Sequence, residues 1–212
     1  MSSATDATYQ APGIAYGPAE GHHHDRASLQ LSGFWLFMMS DLILFGCFFA
    51  TYGTMLGKPS LAGGPGPKDV FEMSGVVIET AALLLSTFTF GLASLAVKYD
   101  RPKREILTWL TVTLLLGATF LGFELKEFVT MFHEGAVPQR SGFLSAFFGL
   151  VPLHGIHVTS GSIWLVIMII MIAKNGVDDL TKSRLARLAL FWHFLDLIWV
   201  GIFSVVYLGG LA

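Results

Sequence analysis

The chain has 212 residues, of which 53% are hydrophobic and only 13% are charged. Soluble domains carry about 25% charged residues, so this composition excludes an ordinary cytosolic enzyme and a disordered chain. The net charge of −2 gives no basic surface for nucleic acid, and the single cysteine, Cys47, excludes a disulfide framework and a cysteine-based metal centre. A polytopic membrane protein is the class that fits.

Residues 1–28 are polar and poor in large apolar side chains, which predicts a disordered cytoplasmic tail. They lack the charged start and apolar core of a signal peptide. The three adjacent histidines of this tail suggest either weak metal binding or a plain polar segment such as a tag remnant: His22, His23 and His24. Residues 29–212 are predicted to form the transmembrane domain.

Five stretches of this domain reach the length of about 20 mainly apolar residues that a membrane span needs. They must be helical, because lipid cannot satisfy exposed backbone groups. The fold class predicted is therefore an all-α integral membrane protein with five transmembrane helices. Pro152 lies inside the fourth span, which predicts a kink or an overlong, tilted helix. The spans cover residues 33–56, 74–97, 106–127, 141–173 and 188–210.

The basic residues predict the orientation of these spans. Nine of the 13 Lys and Arg residues lie before the first span or in the connections that follow the second and fourth spans. The other four lie on the opposite side. Because positive charge is retained in the cytoplasm, the N-terminus is predicted to be cytoplasmic and the C-terminus periplasmic.

Ionisable side chains within or at the ends of the spans are the candidate functional residues. Such groups are costly in a membrane and usually face other helices or water. Here they are candidates either for proton transfer or for packing between helices. The set is Asp41, Glu79, Glu124, Glu127, His154, His157, His193 and Asp196.

Two pairs of these candidate residues each allow more than one interpretation. His193 and Asp196 are three residues apart and share a helix face, so they can tie neighbouring helices together, relay a proton or form a ligand site. His154 and His157 have the same spacing. Gly155 lies between them, which favours close helix packing, although neutral histidine is also a haem ligand.

Asp41 has no charged partner in its own span. It is either hydrogen-bonded to a neighbouring helix or to Ser40, or it is a proton-linked carboxyl group. Glu79 has the same two interpretations. The chain shows no phosphate-binding loop and no nucleophile triad, so its residues alone predict a five-helix protein without a catalytic centre of its own.

Four segments nevertheless resemble a known family. They are GFWLFMMSDLILFGCFFATYG at 33–53, GGPGPKDVFE at 63–72, RSGFLSAFFGLVPLHGIHVTSGSIW at 140–164 and LFWHFLDLIW at 190–199. Together they resemble subunit III of the haem–copper oxidases. The similarity is greatest to the five-helix subunit III of bacterial cytochrome o (bo3-type) ubiquinol oxidases.

The resemblance implies a non-catalytic subunit of a proton-pumping quinol oxidase in the bacterial inner membrane. It implies that this chain binds no haem or metal, and that subunit I, beside which it packs, carries the haems and copper. It also implies a role in assembly and proton uptake, and phospholipid in a cleft between helices. Asp41 stands where cytochrome c oxidase members have a carbodiimide-reactive glutamate. Glu127 matches an acidic family position, whereas Glu124 is glutamine in some relatives.

Two other functions remain open at this stage. One is a membrane haem-b anchor that uses His154, His157 or His193. The other is a proton-coupled transporter that uses Asp41, Glu79 and Asp196, although five spans do not easily form an inverted repeat. The choice of quinol as electron donor rests on the similarity to the five-helix form and on nothing else in the sequence.

Overall fold

The computed structural model describes residues 22–55, 73–133, 135 and 137–209, including all side chains except those of residues 22–28, 30, 31, 73, 74 and 140. Residues 1–21 of the predicted tail, the side chains of its three histidines and the segment 63–72 therefore lie outside the described part.

Five long helices make up the described chain, which contains no strand. A short 3-10 turn, Pro138–Arg140, precedes the fourth helix, and the fifth continues as a π-helical segment, Phe203–Leu208. Each of the five is long and apolar enough to cross a membrane, which confirms the predicted all-α fold with five spans. The helices are α1 His22–Thr54, α2 Met73–Lys98, α3 Lys103–His133, α4 Gly142–Asn175 and α5 Asp179–Ile202.

Two helices begin before the apolar stretches that predict them. α5 starts at Asp179, nine residues ahead of the predicted span, because its first turns bury a stripe formed by Thr181, Leu185 and Leu188 while their charged residues face outward. α1 starts at His22, within the segment predicted to be a tail. No glycine or proline interrupts residues 22–31, so nothing local stops the helix there.

α4 is a single helix from Gly142 to Asn175 with Pro152 inside it. The Ser141 side chain caps its first turn by accepting a hydrogen bond from the Leu144 backbone N–H at 3.1 Å. At 1.5 Å per residue the helix is about 50 Å long, so it must tilt in the bilayer or extend beyond it.

Helices α2, α3, α4 and α5 form a closed ring in that order, and α1 packs outside the ring against α4 and α5. Hydrogen bonds between side chains join α2 to both of its neighbours in the ring. Two indole N–H groups of α5 donate to hydroxyl groups of α2, and two threonines join α2 to α3. The pairs are Trp192–Ser86 at 3.0 Å, Trp199–Thr80 at 3.1 Å and Thr89–Thr113 at 2.8 Å.

α1 contacts the ring through one face, on which Met38, Asp41, Phe45 and Tyr52 are buried. The Tyr52 hydroxyl donates to the Val206 carbonyl at 3.4 Å. Most other large side chains of α1 are exposed, so this helix offers far more surface to its surroundings than the ring helices do.

Two glycines of the ring receive aromatic side chains of α1. A Cβ at Gly149 of α4 would lie 2.9 Å from the Phe48 ring, and one at Gly201 of α5 would lie 3.2 Å from Phe49. Small residues let neighbouring helices approach closely in a membrane. These two glycines therefore leave room for the aromatic side chains of α1 against the ring.

Basic side chains at one end of the bundle, here called the basic end, connect the loops. Lys182 donates to Asp100 at 2.8 Å, and the Lys103 ammonium donates to the Ala173 carbonyl. The α2–α3 and α4–α5 connections thus meet at the same end, as five antiparallel spans require.

Candidate functional site

The first polar group inside the membrane region joins α1 to α4. Asp41 Oδ2 lies 3.6 Å from His157 Nε2, and both side chains are largely buried. His157 Nδ1 donates to the Leu153 carbonyl at 2.7 Å, since a carbonyl can only accept. With Nδ1 occupied in this way, Nε2 faces the Asp41 carboxyl group at a distance longer than a hydrogen bond.

An aromatic groove reaches this Asp41–His157 pair from the direction of the basic end. Its volume is about 330 Å³. The His157 side chain is 17% exposed and forms part of the wall, so the pair is accessible through the groove. The residues that line it are Phe34, Phe37, Ile156, His157, Ser160, Trp164 and Phe191.

The second polar group is a cluster of carboxyl side chains within the ring. Glu79 of α2 is 1% exposed and Glu124 of α3 is 3% exposed. The Glu124 carboxyl group lies over Gly155 of α4, where an added Cβ would be 2.7 Å from Oε1. Glu127 accepts a hydrogen bond from the Tyr207 hydroxyl at 3.2 Å.

These acids, here called the acid cluster, are close enough to interact electrostatically with one another. Burying separate anions in an apolar interior is very costly, so mutually close carboxyl groups are expected to share protons. The cluster lies away from the basic end, because Tyr207 and Glu127 both belong to the opposite ends of their helices.

His154 lies in the centre of the ring and is fully buried. Its ring stacks on Trp199 at a centroid distance of 5.4 Å and meets the edge of Phe120 at 5.8 Å. Neither ring nitrogen has a hydrogen-bond partner among the described residues. His154 therefore packs among aromatic rings, whereas His157 reaches α1, and the two do not converge on one ligand position.

His193 and Asp196 lie close together on α5 but differ in burial. Asp196 is 8% exposed and lies beside Thr87 of α2. His193 is exposed on the outside of α5, where Nδ1 donates to the Ala189 carbonyl at 2.7 Å. Of this pair, only Asp196 lies between helices.

No sequence pattern predicts two of the hydrogen-bonded pairs between helices. Tyr207 is 80 residues away from Glu127, and Ser86 is 106 residues away from Trp192. Such contacts have no local pattern, because hydroxyl groups are frequent in membrane helices and most of them bond to their own backbone. Among the described residues, no group of three His, Cys, Asp or Glu side chains could hold a metal ion.

Comparison with known proteins identifies the family to which this sequence belongs. Residues 14–211 match the family described as cytochrome c oxidase subunit III. The chain belongs to that family. This confirms the resemblance to subunit III of the haem–copper oxidases.

Several subunit III relatives match along most of their length. The chain is 50% identical over 187 residues to cytochrome bo(3) ubiquinol oxidase subunit 3 of Pseudomonas putida, covering 88% of this chain and 89% of the relative. It is 43% identical to the protein of the same name from Pseudomonas aeruginosa, covering 99% of both. It is 40% identical to quinol oxidase subunit 3 of Bacillus subtilis, covering 94% of this chain and 96% of the relative.

Proposed function

We propose that this subunit III is the non-catalytic membrane subunit of a proton-pumping ubiquinol oxidase of the cytochrome o type. In this proposal subunit I carries the haems and copper, and the chain described here stabilises the assembly and supports proton uptake. The observation that supports it most strongly is the 43% identity over 210 residues to a subunit of an oxidase with that name.

Purification of the tagged chain tests the proposed complex. It should bring down a haem–copper subunit, and the chain expressed alone should give no Soret band. A Soret band from the single chain would favour a haem anchor instead. Recovery of the chain without any haem-containing partner would contradict membership of the oxidase.

The support for proton uptake comes from the Asp41–His157 pair. A carboxyl group and an imidazole 3.6 Å apart need only a small movement to form a hydrogen bond, through which a proton can pass. The groove gives this pair an opening towards the basic end. On the predicted orientation the opening is on the cytoplasmic side, from which a proton-pumping oxidase takes up protons.

Substitution of Asp41 in the complete oxidase tests this role. We expect Asp41→Ala to leave assembly intact but to slow proton uptake or shorten the turnover lifetime, measured in vesicles containing the reconstituted enzyme. Ser40→Ala is the matched control, since that exposed hydroxyl bonds only to the Phe37 carbonyl. Loss of assembly would show a structural role for Asp41, and unchanged turnover in both variants would exclude the proton role.

The same groove is proposed to hold one acyl chain of a phospholipid. Most of the side chains that line it are apolar, and Arg187 and Arg184 lie one and two turns, respectively, from Phe191 on the same face of α5. Guanidinium groups there would face a phosphate at the membrane surface. Mass spectrometry of lipid bound to the purified oxidase should show less anionic phospholipid in Arg187→Gln than in the control Lys174→Gln. Equal lipid in both variants would contradict this site.

The predicted orientation in the bacterial inner membrane is part of the proposal. Alkaline phosphatase fused after the last helix should be active, because that enzyme folds only outside the cytoplasm. An inactive C-terminal fusion together with an active fusion in the α2–α3 connection would reverse the orientation.

A further inference from the structure

The groove beside the Asp41–His157 pair also opens sideways to the bilayer. Two of the residues that line it, Phe37 of α1 and Ile156 of α4, are 48% and 66% exposed. Both lie within helices that are long and apolar enough to cross a membrane, so they are at a depth where hydrocarbon is the solvent. An acyl chain can therefore enter the groove directly from the bilayer, without passing through the bundle.

The same groove gives water its contact with the pair. The side chains of His157 and Asp41 are 17% and 12% exposed, and His157 is part of the groove wall. Since His157 Nδ1 donates to the Leu153 carbonyl, Nε2 is the nitrogen that can exchange a proton. Ser160 lines the groove beside it and donates its hydroxyl to the His157 carbonyl at 2.7 Å. Water in the groove thus meets a polar edge next to the pair.

The groove is too small for lipid and a column of water together. Its volume of about 330 Å³ corresponds to about ten water molecules at about 30 Å³ each in the liquid. An acyl chain in this space displaces that water. The C–H groups of the chain neither donate nor accept a proton, so the two occupants differ completely in what they allow the pair to do.

We propose that the phospholipid chain in this groove controls proton access to the Asp41–His157 pair, because chain and water exclude each other there. With the chain in place the pair is shielded from water, and it exchanges protons when the chain leaves. This inference rests on the proposed function, which assigns both a lipid role and a proton role to the groove. The positive charge of Arg187 near the membrane surface attracts the anionic headgroup and so favours the shielded state.

Thiol labelling in the complete oxidase tests this competition. In a Cys47→Ala background, Ser160→Cys places a thiol in the groove, and a charged thiosulfonate that does not dissolve in lipid reports the water beside it. Thr119→Cys on α3 is the matched control. Thr119 is also exposed, lies at a similar distance from the basic end, and bonds to its own backbone at the Leu115 carbonyl, as Ser160 does at His157.

Removal of lipid should accelerate labelling in the groove alone. We expect Ser160→Cys to react about tenfold faster in the delipidated oxidase, as for a groove that is filled about nine-tenths of the time. Added anionic phospholipid should restore the slow rate, and Thr119→Cys should be slow throughout. Equal rates with and without lipid, or the same acceleration at Thr119→Cys, would contradict the inference. Slow labelling of Ser160→Cys in both states would show that the groove admits no water, which would also overturn it.

A side chain that fills the groove separates this inference from the proposed function. Ser160→Phe should act as a permanent substitute for the bound chain, so proton uptake by the reconstituted oxidase should fall to the level of Asp41→Ala at any lipid content. Thr119→Phe makes the same change away from the groove and should retain normal uptake. If Asp41→Ala slows uptake but Ser160→Phe does not, this inference fails while the proton role of the pair stands. If neither variant slows uptake, the proposed proton role itself fails.

Discussion

The ring of α2 to α5 and the peripheral helix α1 are held by different forces. In the ring, hydrogen bonds between side chains join α2 to α3 and α5, and aromatic side chains are fully buried between the helices. α1 rests against it through one face, two glycine gaps and the long Asp41–His157 contact. Most of its large side chains are exposed.

The two regions also differ in how accessible their buried carboxyl groups are. In the ring, a carboxyl group such as Glu124 is enclosed by neighbouring helices and has no opening. At the edge of α1, the groove leaves His157 partly exposed beside Asp41. Because α1 packs against the ring through one face only, the groove beside it makes the Asp41–His157 pair accessible while the ring stays closed.

Replacement of two tryptophans should give the largest contrast between the regions. Trp192 is 1% exposed inside the ring, whereas Trp164 lines the groove. We expect Trp192→Ala to lower the free energy of unfolding by about 3 kcal/mol, through lost packing and the loss of its hydrogen bond to Ser86. Trp164→Ala should cost less than about 1 kcal/mol. Unfolding of the full chain in mixed micelles measures both, and equal losses would contradict the comparison.

Substitution of two glycines gives a contrast of intermediate size. An added Cβ would lie 2.9 Å from the Trp192 ring at Gly117 and 2.9 Å from the Phe48 ring at Gly149. The Trp192 ring is enclosed and bonded to Ser86, so Gly117→Ala should destabilise the chain by about 1–2 kcal/mol. Phe48 can move towards the open side of α1, so Gly149→Ala should be close to neutral in the same assay. A larger loss for Gly149→Ala would show that α1 is held as rigidly as the ring.

Removal of a hydroxyl should give the smallest effect. Ser86→Ala leaves the Trp192 indole without its partner, and we expect a loss of about 0.6 kcal/mol, the average for hydrogen bonds within membranes. Ser40→Ala on α1 removes only a bond to its own backbone and should change stability by less than the error of the measurement. A loss above that of Gly117→Ala would mean that the bond, rather than ring packing, holds α5 in place.

The number and type of the helices were predictable from the sequence, because a membrane span needs an apolar stretch of fixed length whatever its neighbours are. The starts of α1 and α5 were less predictable. The apolar stretch marks where lipid begins, but a helix continues into water as long as no residue breaks it. The Asp179 start in particular depends on a buried stripe that pairs with other helices.

The candidate residues were predictable as a set, but their partners were not. Asp41, His157 and His193 can be recognised in the sequence, because an ionisable side chain within an apolar span is energetically costly in a membrane. Only the tertiary structure decides that Asp41 faces His157, and that His193 points outward. One helix turn separates a side chain inside the bundle from one outside it, and hydropathy contains no information about which neighbour occupies that side. The sequence by itself thus determined the spans and their rare charges, and helix packing determined which of those charges meet.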